Sequence, residues 1–296
     1  MVCAIFGGTG SSCETQPKAL DNAAEFETIT DDLGNEFRRP DRVTRIVSLA
    51  PNLTEIVFAL GAGDSLVGVT TFCDYPAEAA RIKKVGDTLK PNIETIVGLK
   101  PQFVLVTTAS QLESFSDLLT NQGIEVFVTN PDSIESLFRG ITKIGDLVGK
   151  IDAAAELVSN IKSRLKKAAE FAAQKKGSRG VFVQIDKSLY TIGKGSFISD
   201  ALSKIGFTSV TDDIDSPYPK ISQELARTLN PDIIVISESV GNDAPNEVFR
   251  SSVAVRNGRV YNIGADVLSR PGPRFVEALE LLVAKEEEWE KGRGLE

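Results

Sequence analysis

The 296-residue sequence predicts an α/β protein of two similar lobes, joined by one long rigid α-helix, with a ligand cleft between the lobes. Three observations carry this. First, a segment occurs twice: residues 91–106 read PNIETIVGLKPQFVLV and residues 221–236 read ISQELARTLNPDIIVI. Aligning Pro101 with Pro231 also aligns Leu99 with Leu229, Phe103–Val106 with Ile233–Ile236, and Glu94 with Glu224. Each copy is a short amphipathic helix, a proline that stops it, and an apolar run that suits a strand covered on both faces. Second, residues 150–176 contain neither Gly nor Pro, and Ala154, Leu157, Val158, Ile161, Leu165, Ala168, Ala169 and Ala172 recur at helical spacing. About 25 residues of helix span roughly 38 Å, enough to run along one lobe and reach the next. Third, strand and helix patterns alternate on both sides of that segment, as in parallel sheets with helices on both faces.

In chain order, residues 1–25 read as a leader and tether, 26–149 as the first lobe, 150–176 as the connecting helix and 177–296 as the second lobe. Phe26–Thr30 and Glu36–Arg38 flank the hairpin turn Leu33-Gly34-Asn35. Arg45–Leu49 is a strand, and Asn52–Leu60 a helix with Asn52 as N-cap and Gly61 just past its end. Leu66–Val69 is the next strand. After the first repeat copy come a helix over Ser110–Asn121, a strand at Glu125–Phe127 and a helix starting at Asp132 or Ser133. Gly177-Ser178 ends the connecting helix. Then Gly180–Ile185 is a strand, Phe197–Ile205 a helix, Ile233–Ile236 a strand, Arg259–Ile263 a late strand and Pro273–Trp289 the closing helix. A single stiff link predicts a cleft whose width changes little.

A net charge of −8 and a pI of about 4.9 argue against a nucleic-acid partner. The basic run Lys162, Arg164, Lys166, Lys167 is interleaved with Ile161, Leu165 and Ala168, the pattern of a solvated helix face. The absence of histidine removes the usual general base, the Ser-His and Cys-His nucleophile systems and the commonest metal ligand. No catalytic residue, metal site or cofactor is therefore assigned. Cys3, Cys13 and Cys73 show no C-x-x-C spacing. No stretch approaches the ~20 apolar residues of a membrane span. MVCAIFGGTGSSC reads as the tail of a secretory signal, with Cys13 as a lipid-carrying cysteine, although the Leu expected three residues earlier is absent; the alternative is a leader without structure. Gly61-Ala62-Gly63 follows a helix rather than a strand, and Gly193-Lys194-Gly195-Ser196 lacks the spacing of a P-loop, so neither supports a nucleotide enzyme.

The stretch TDDLGNEFRRPDRVTRIVSLAPNLTEIVFALGAG joins a hairpin, a strand, Ala-Pro-Asn-x-Thr-Glu and a helix ending in Gly-Ala-Gly. Asp74-Tyr75-Pro76, the repeated segment, Gly193-Lys194-Gly195-Ser196-Phe197 and Arg270-Pro271-Gly272-Pro273-Arg274 follow in order. From about Phe26 to Ala284 the chain thereby resembles the class III substrate-binding proteins of bacterial ABC importers, which capture cobalamin, haem and ferric siderophores. The resemblance implies two Rossmann-like lobes, no enzymatic activity, and a monomer in the periplasm or on the outer face of the cytoplasmic membrane. It implies an ABC permease dimer with its ATPase subunits as partner, with Glu94 and Glu224 docking on permease arginines. A carboxylate in a helix's first turn is favoured by the dipole, and charge-assisted pairs with Arg would set orientation on a two-fold transporter. Glu55 also opens a helix but has no counterpart 130 residues on.

For the ligand, a cleft at the strand carboxyl ends draws on Phe72, Asp74 and Tyr75 from the first lobe and Tyr190, Phe197, Tyr218, Asp266, Arg270 and Arg274 from the second. Phe72, Asp266 and Arg270 fall on cleft positions of cobalamin-binding members. Where those members present stacking tryptophans, this chain has Thr88 and Thr107, and its one tryptophan, Trp289, is in the closing helix. Haem capture usually needs an axial His or Tyr, which leaves Tyr75, Tyr190 or Tyr218. Anionic siderophores would suit Arg270 and Arg274. The expected ligand is cobalamin or another corrinoid, with a ferric siderophore next and haem behind. The alternative for both arginines is a structural role at the start of a helix, and for Phe72 and Phe197 it is core packing.

Overall fold

The structure is a computed structural model that describes residues 27–108, 110, 116–173 and 179–293. The leader with Cys13, and the end of the connecting helix at 174–178, lie outside the described residues. A hairpin comes first, β1 (Thr28–Thr30) paired with β2 (Glu36–Arg38). Asp31 closes its turn by accepting from the amides of Leu33 and Asn35 at 2.9 Å each.

The first sheet follows: β3 (Ile46–Ser48), β4 (Leu66–Val69), β5 (Phe103–Thr107) and β6 (Glu125–Thr129), all parallel, in the order β4-β3-β5-β6. Helices α1 (Pro51–Ala59), α2 (Ile93–Gly98) and α3 (Ser116–Thr120) connect its strands. Helix α4 (Ile134–Leu147) leaves the sheet, and α5 (Ile151–Ala173) is the connecting helix. The second sheet is β7 (Gly180–Gln184), β8 (Thr208–Ser209), β9 (Ile233–Glu238) and β10 (Val260–Gly264), parallel, in the order β10-β9-β7-β8. Its helices are α6 (Phe197–Lys204), α7 (Gln223–Thr228), α8 (Val253–Arg256), α9 (Ala265–Leu268) and the closing α10 (Phe275–Gly292).

Both sheets share one topology. In each, the first strand sits between the second and the third, and the fourth lies beyond the third. The repeated segment is α2–β5 in one lobe and α7–β9 in the other, so it builds the third strand of each sheet and the helix leading into it. The facing of the side chains repeats too. Phe103, Leu105, Ile233 and Val235 point into one shared core, while Val104, Val106, Ile234 and Ile236 point into two outer cores. Alternation along a strand puts successive side chains on opposite faces, and an apolar residue at every position keeps both faces dry.

The shared core runs without a break from the first sheet through α1, α4, α5, α6 and α10 to the second. The lobes are thus held by more than the single helical link expected from sequence. Helix α10 is fastened at its far end by Trp289, whose Nε1 donates to the Asn257 carbonyl at 2.8 Å and whose ring lies under Arg259 at 4.5 Å. The buried Glu286 accepts from Arg259 and, at 2.6 Å, from the Tyr261 hydroxyl.

Some boundaries differ from the expected ones for identifiable reasons. Helix α1 starts at Pro51 with Ala50 as cap, because the fixed φ of proline suits a first helical position. Asn52 is therefore inside the helix, and its side chain donates to Pro271 of the second lobe instead of capping. Helix α10 starts after Pro273, at Phe275. The two-residue β8 and four-residue α8 and α9 are too short to produce a legible period. Gly61 does close α1 with φ of +69°, and Ser133 caps α4.

Phe275 is 1 % exposed and packs edge-on against Phe197 at 4.5 Å in the shared core. Phe275→Ala should lower unfolding free energy by about 3–5 kcal/mol in urea titrations. A loss below about 1 kcal/mol would show that the shared core does not hold α10 in place.

Candidate functional site

The segments that follow the strands of one lobe meet those of the other. Asn52, after β3, reaches Pro271, after β10, at 3.2 Å. The Ile134 amide, after β6, donates to Asp200 of α6 at 2.8 Å. The carboxyl edges of the two sheets therefore face each other, which is where open α/β sheets place their ligands.

A charged cluster occupies the junction. Glu55 of α1 is 4 % exposed. Arg274 grips it with two bonds, Nε to Oε2 at 2.9 Å and Nη2 to Oε1 at 2.6 Å. Arg270 adds a third at 3.3 Å, and it also donates to Asp74 at 2.8 Å, Asp266 at 2.6 Å and the Phe72 carbonyl at 3.3 Å. The Arg274 guanidinium stacks on the Tyr75 ring at 3.8 Å, beside the cis Tyr75–Pro76 peptide. Partial burial opposes ionisation of Asp74, but the hydrogen bond and charge of Arg270 outweigh it and hold that carboxyl below its ordinary value.

The remaining expected residues divide by exposure. Phe72, Tyr190 and Tyr218 stand about half exposed on loops at the strand ends, and Tyr75 does so with one ring face taken by Arg274. Tyr190 is presented by Leu189, a bulky residue held at φ of +67°, where a side chain is strained and must be held by its surroundings. Asp186 does this by accepting from the Ser188 and Tyr190 amides. Thr88 is half-buried in the loop before α2, and Thr107 is buried at the end of β5. Phe197 is 3 % exposed, so the structure places it in the core against Phe275 and not on a cleft wall. Gly193, three residues before the Ser196 cap of α6, is required by packing: a Cβ there would lie 2.3 Å from the Ser216 carbonyl oxygen.

Sequence reasoning missed two features. Glu55 was weighed only as a docking residue, yet it is the buried anchor between the lobes; the signal was a carboxylate inside a helix that is otherwise buried from Asn52 to Val57. Val240, fully exposed at the turn after β9, has no sequence signature. A cavity of about 610 Å³ shares Glu55, Tyr75 and Arg274 with the cluster but is walled by Leu157 and Ile161 of the connecting helix, away from Phe72, Tyr190 and Tyr218. A second, of about 430 Å³, opens between Asp132 and Ser133 of the first lobe and Lys194, Ser199 and Asp212 of the second.

Glu94 and Glu224 sit in the first turns of α2 and α7, both exposed. Asn92 and Ser222 cap these helices through the Thr95 and Leu225 amides, at 2.8 and 3.1 Å. Hydrogen bonds from its own amide and from Ser222 hold the Glu224 carboxyl below its ordinary value, so it is ionised at neutral pH.

Residues 46–267 match the periplasmic binding protein family. This chain belongs to that family. As a periplasmic binding protein it carries a ligand rather than transforming it, and it works outside the cytoplasm with an ABC permease and ATPase. It is 32 % identical, over 95 % of its length and 93 % of the relative's, to the uncharacterized ABC transporter substrate-binding lipoprotein YvrC of Bacillus subtilis. It is 28 % identical over 260 residues to the vitamin B12-binding protein of Vibrio cholerae, covering 87 % of this chain and 93 % of that one. The crystal structure of the Vibrio cholerae protein superposes with a TM-score of 0.74 at 27 % identity, covering 85 % of this chain and all of that one. A possible iron-binding (periplasmic solute-binding) protein from Staphylococcus epidermidis superposes at 0.72 with 29 % identity, covering 82 % of this chain and 98 % of that one.

The Glu55 anchor yields a stability prediction for this binding protein. Removing one partner of a buried, bidentate pair leaves the other uncompensated, so Glu55→Ala should cost about 3 kcal/mol. Asp266→Ala, at a largely exposed carboxylate, should cost under about 1 kcal/mol. Equal losses in parallel denaturant titrations would remove Glu55 from its place as the anchor.

Proposed function

We propose that this protein captures cobalamin or another corrinoid outside the cytoplasmic membrane and delivers it to an ABC import permease, without chemistry on the ligand. The observation that carries the ligand class is the likeness to the Vibrio cholerae vitamin B12-binding protein, which spans both lobes and nearly that protein's whole length. The site is consistent with a bulky ligand. Half-exposed aromatic side chains stand on both lobes, Phe72 and Tyr75 on the first and Tyr190 and Tyr218 on the second. Such rings offer large apolar area with few bonds to freeze. The absence of tryptophan from Thr88 and Thr107 shifts the contact area onto these four residues.

The protein acts as a monomer, either in the periplasm or tethered at the outer face of the cytoplasmic membrane through Cys13. Docking is assigned to Glu94 and Glu224, which the shared topology places at equivalent points of the two lobes, as a two-fold permease requires. Charge-assisted pairs with permease arginines would fix orientation, and the permease's ATPase would supply the work of release.

Calorimetric titration with cyanocobalamin should give stoichiometric, submicromolar binding. Silence toward cobalamin with a response to a ferric siderophore would move the assignment to iron uptake, in line with the possible iron-binding protein of Staphylococcus epidermidis. Glu94→Arg combined with Glu224→Arg should abolish uptake in a reconstituted transporter while ligand affinity stays within about two-fold. Both residues are exposed on helices that pack against the outer cores, so a large loss of affinity would remove them from the docking role.

A further inference from the structure

We propose that the floor of the cleft discriminates against anionic ligands, because the two arginines that would attract them are already neutralised in place by Glu55, Asp74 and Asp266. The inference rests on the corrinoid reading and narrows it to neutral or cationic forms of the ligand. Arg270 donates to four oxygens, on Glu55, Asp74, Asp266 and the Phe72 carbonyl. Arg274 gives Nε and Nη2 to Glu55, and its face is covered by the Tyr75 ring. A guanidinium has five N–H donors in a fixed fork and no way to shed its charge, so what decides its effect on a ligand is which acceptors hold it.

Charge and exposure then point the same way. Two guanidiniums face three carboxylates, a surplus of one negative charge. The Arg270 and Arg274 side chains are 14 % and 17 % exposed, whereas those of Asp74 and Asp266 are 59 % and 60 % exposed. The carboxylates stand on the solvent side and the arginines behind them. An incoming anion meets the carboxylates first, well within the Debye length of about 8 Å at physiological salt. To reach Arg270 it must displace Asp74 or Asp266 and leave that group without its partner. Among the described residues, two lysines lie near the candidate aromatics without pairing to a carboxylate of this cluster: Lys84 donates to the Cys73 and Ala79 carbonyls, and Lys220 lies over the Tyr190 ring.

The test is a charge series on one ligand shape: calorimetric titration with cyanocobalamin, which carries no net charge, and with its mono- and dicarboxylate derivatives. Each added negative charge should weaken wild-type binding by at least about three-fold at low salt, the scale of an exposed charge pair, and by less in high salt. The Asp74→Asn/Asp266→Asn double variant should shrink the ratio between cyanocobalamin and its carboxylates by at least half. That ratio is insensitive to a general loss of affinity, and thermal unfolding of the variant confirms that it folds. Equal wild-type affinities across the series, or a ratio unchanged in the double variant, would overturn the proposal while leaving the corrinoid assignment standing. If no corrinoid binds, that assignment fails and the charge rule is read from a cationic ferric trihydroxamate against an anionic ferric tricatecholate. Preference for the cation upholds the rule, and preference for the anion overturns it.

Discussion

A carboxylate taken out of water must be met by cations, and both cations that meet Glu55 come from the other lobe. This requirement sets how the lobes face each other. Arg274 reaches Glu55 from the start of α10, so the closing helix, the middle of α1 and the Tyr75 loop share one geometry. Arg270, four residues earlier in the chain, then lies where Asp74 of the first lobe and Asp266 of the second both bind it. Neither lobe alone could bury Glu55 in this way.

The shared apolar core and this ionic junction restrain the same motion from different sides. The core runs through α4, α5, α6 and α10, so separating the lobes fully would expose it to water. The ionic cluster lies beside that core at the cleft floor, with Asp74 and Asp266 solvated. Both the core and the ionic cluster would resist a spreading of the lobes. External work, applied by a transporter, would be needed to spread them. Glu94 and Glu224, on outer helices of opposite lobes, are suited to receive such a load.

The arginines illustrate how far the chemistry of one residue type depends on its neighbours. Two arginines bracketing Pro-Gly-Pro near a cleft look like an anion grip. Here both guanidiniums are already held by carboxylates, Arg274 by Glu55 and Arg270 by Glu55, Asp74 and Asp266. Phe197 shows the same dependence on context: an aromatic residue opening a helix at a cleft edge turned inward because Phe275 offered it an apolar partner.

Much of the fold was legible in the sequence because it rests on local rules. The repeat fixed the third strand and its preceding helix in both lobes, since apolar runs after a proline bury both faces wherever they occur. Freedom from Gly and Pro over residues 150–176 marked the connecting helix, and Gly61 and Ser133 marked helix ends through backbone geometry and capping. The paired glutamates were legible for the same reason: a repeat places equivalent residues at equivalent points. The tertiary structure alone decided that Asn52 would reach Pro271 and not cap its helix, that Glu55 would be buried, and that Arg270 and Arg274 would be occupied from across the junction. Those contacts join residues about 200 positions apart. Their energies depend on which groups lose water together, and no local pattern records that.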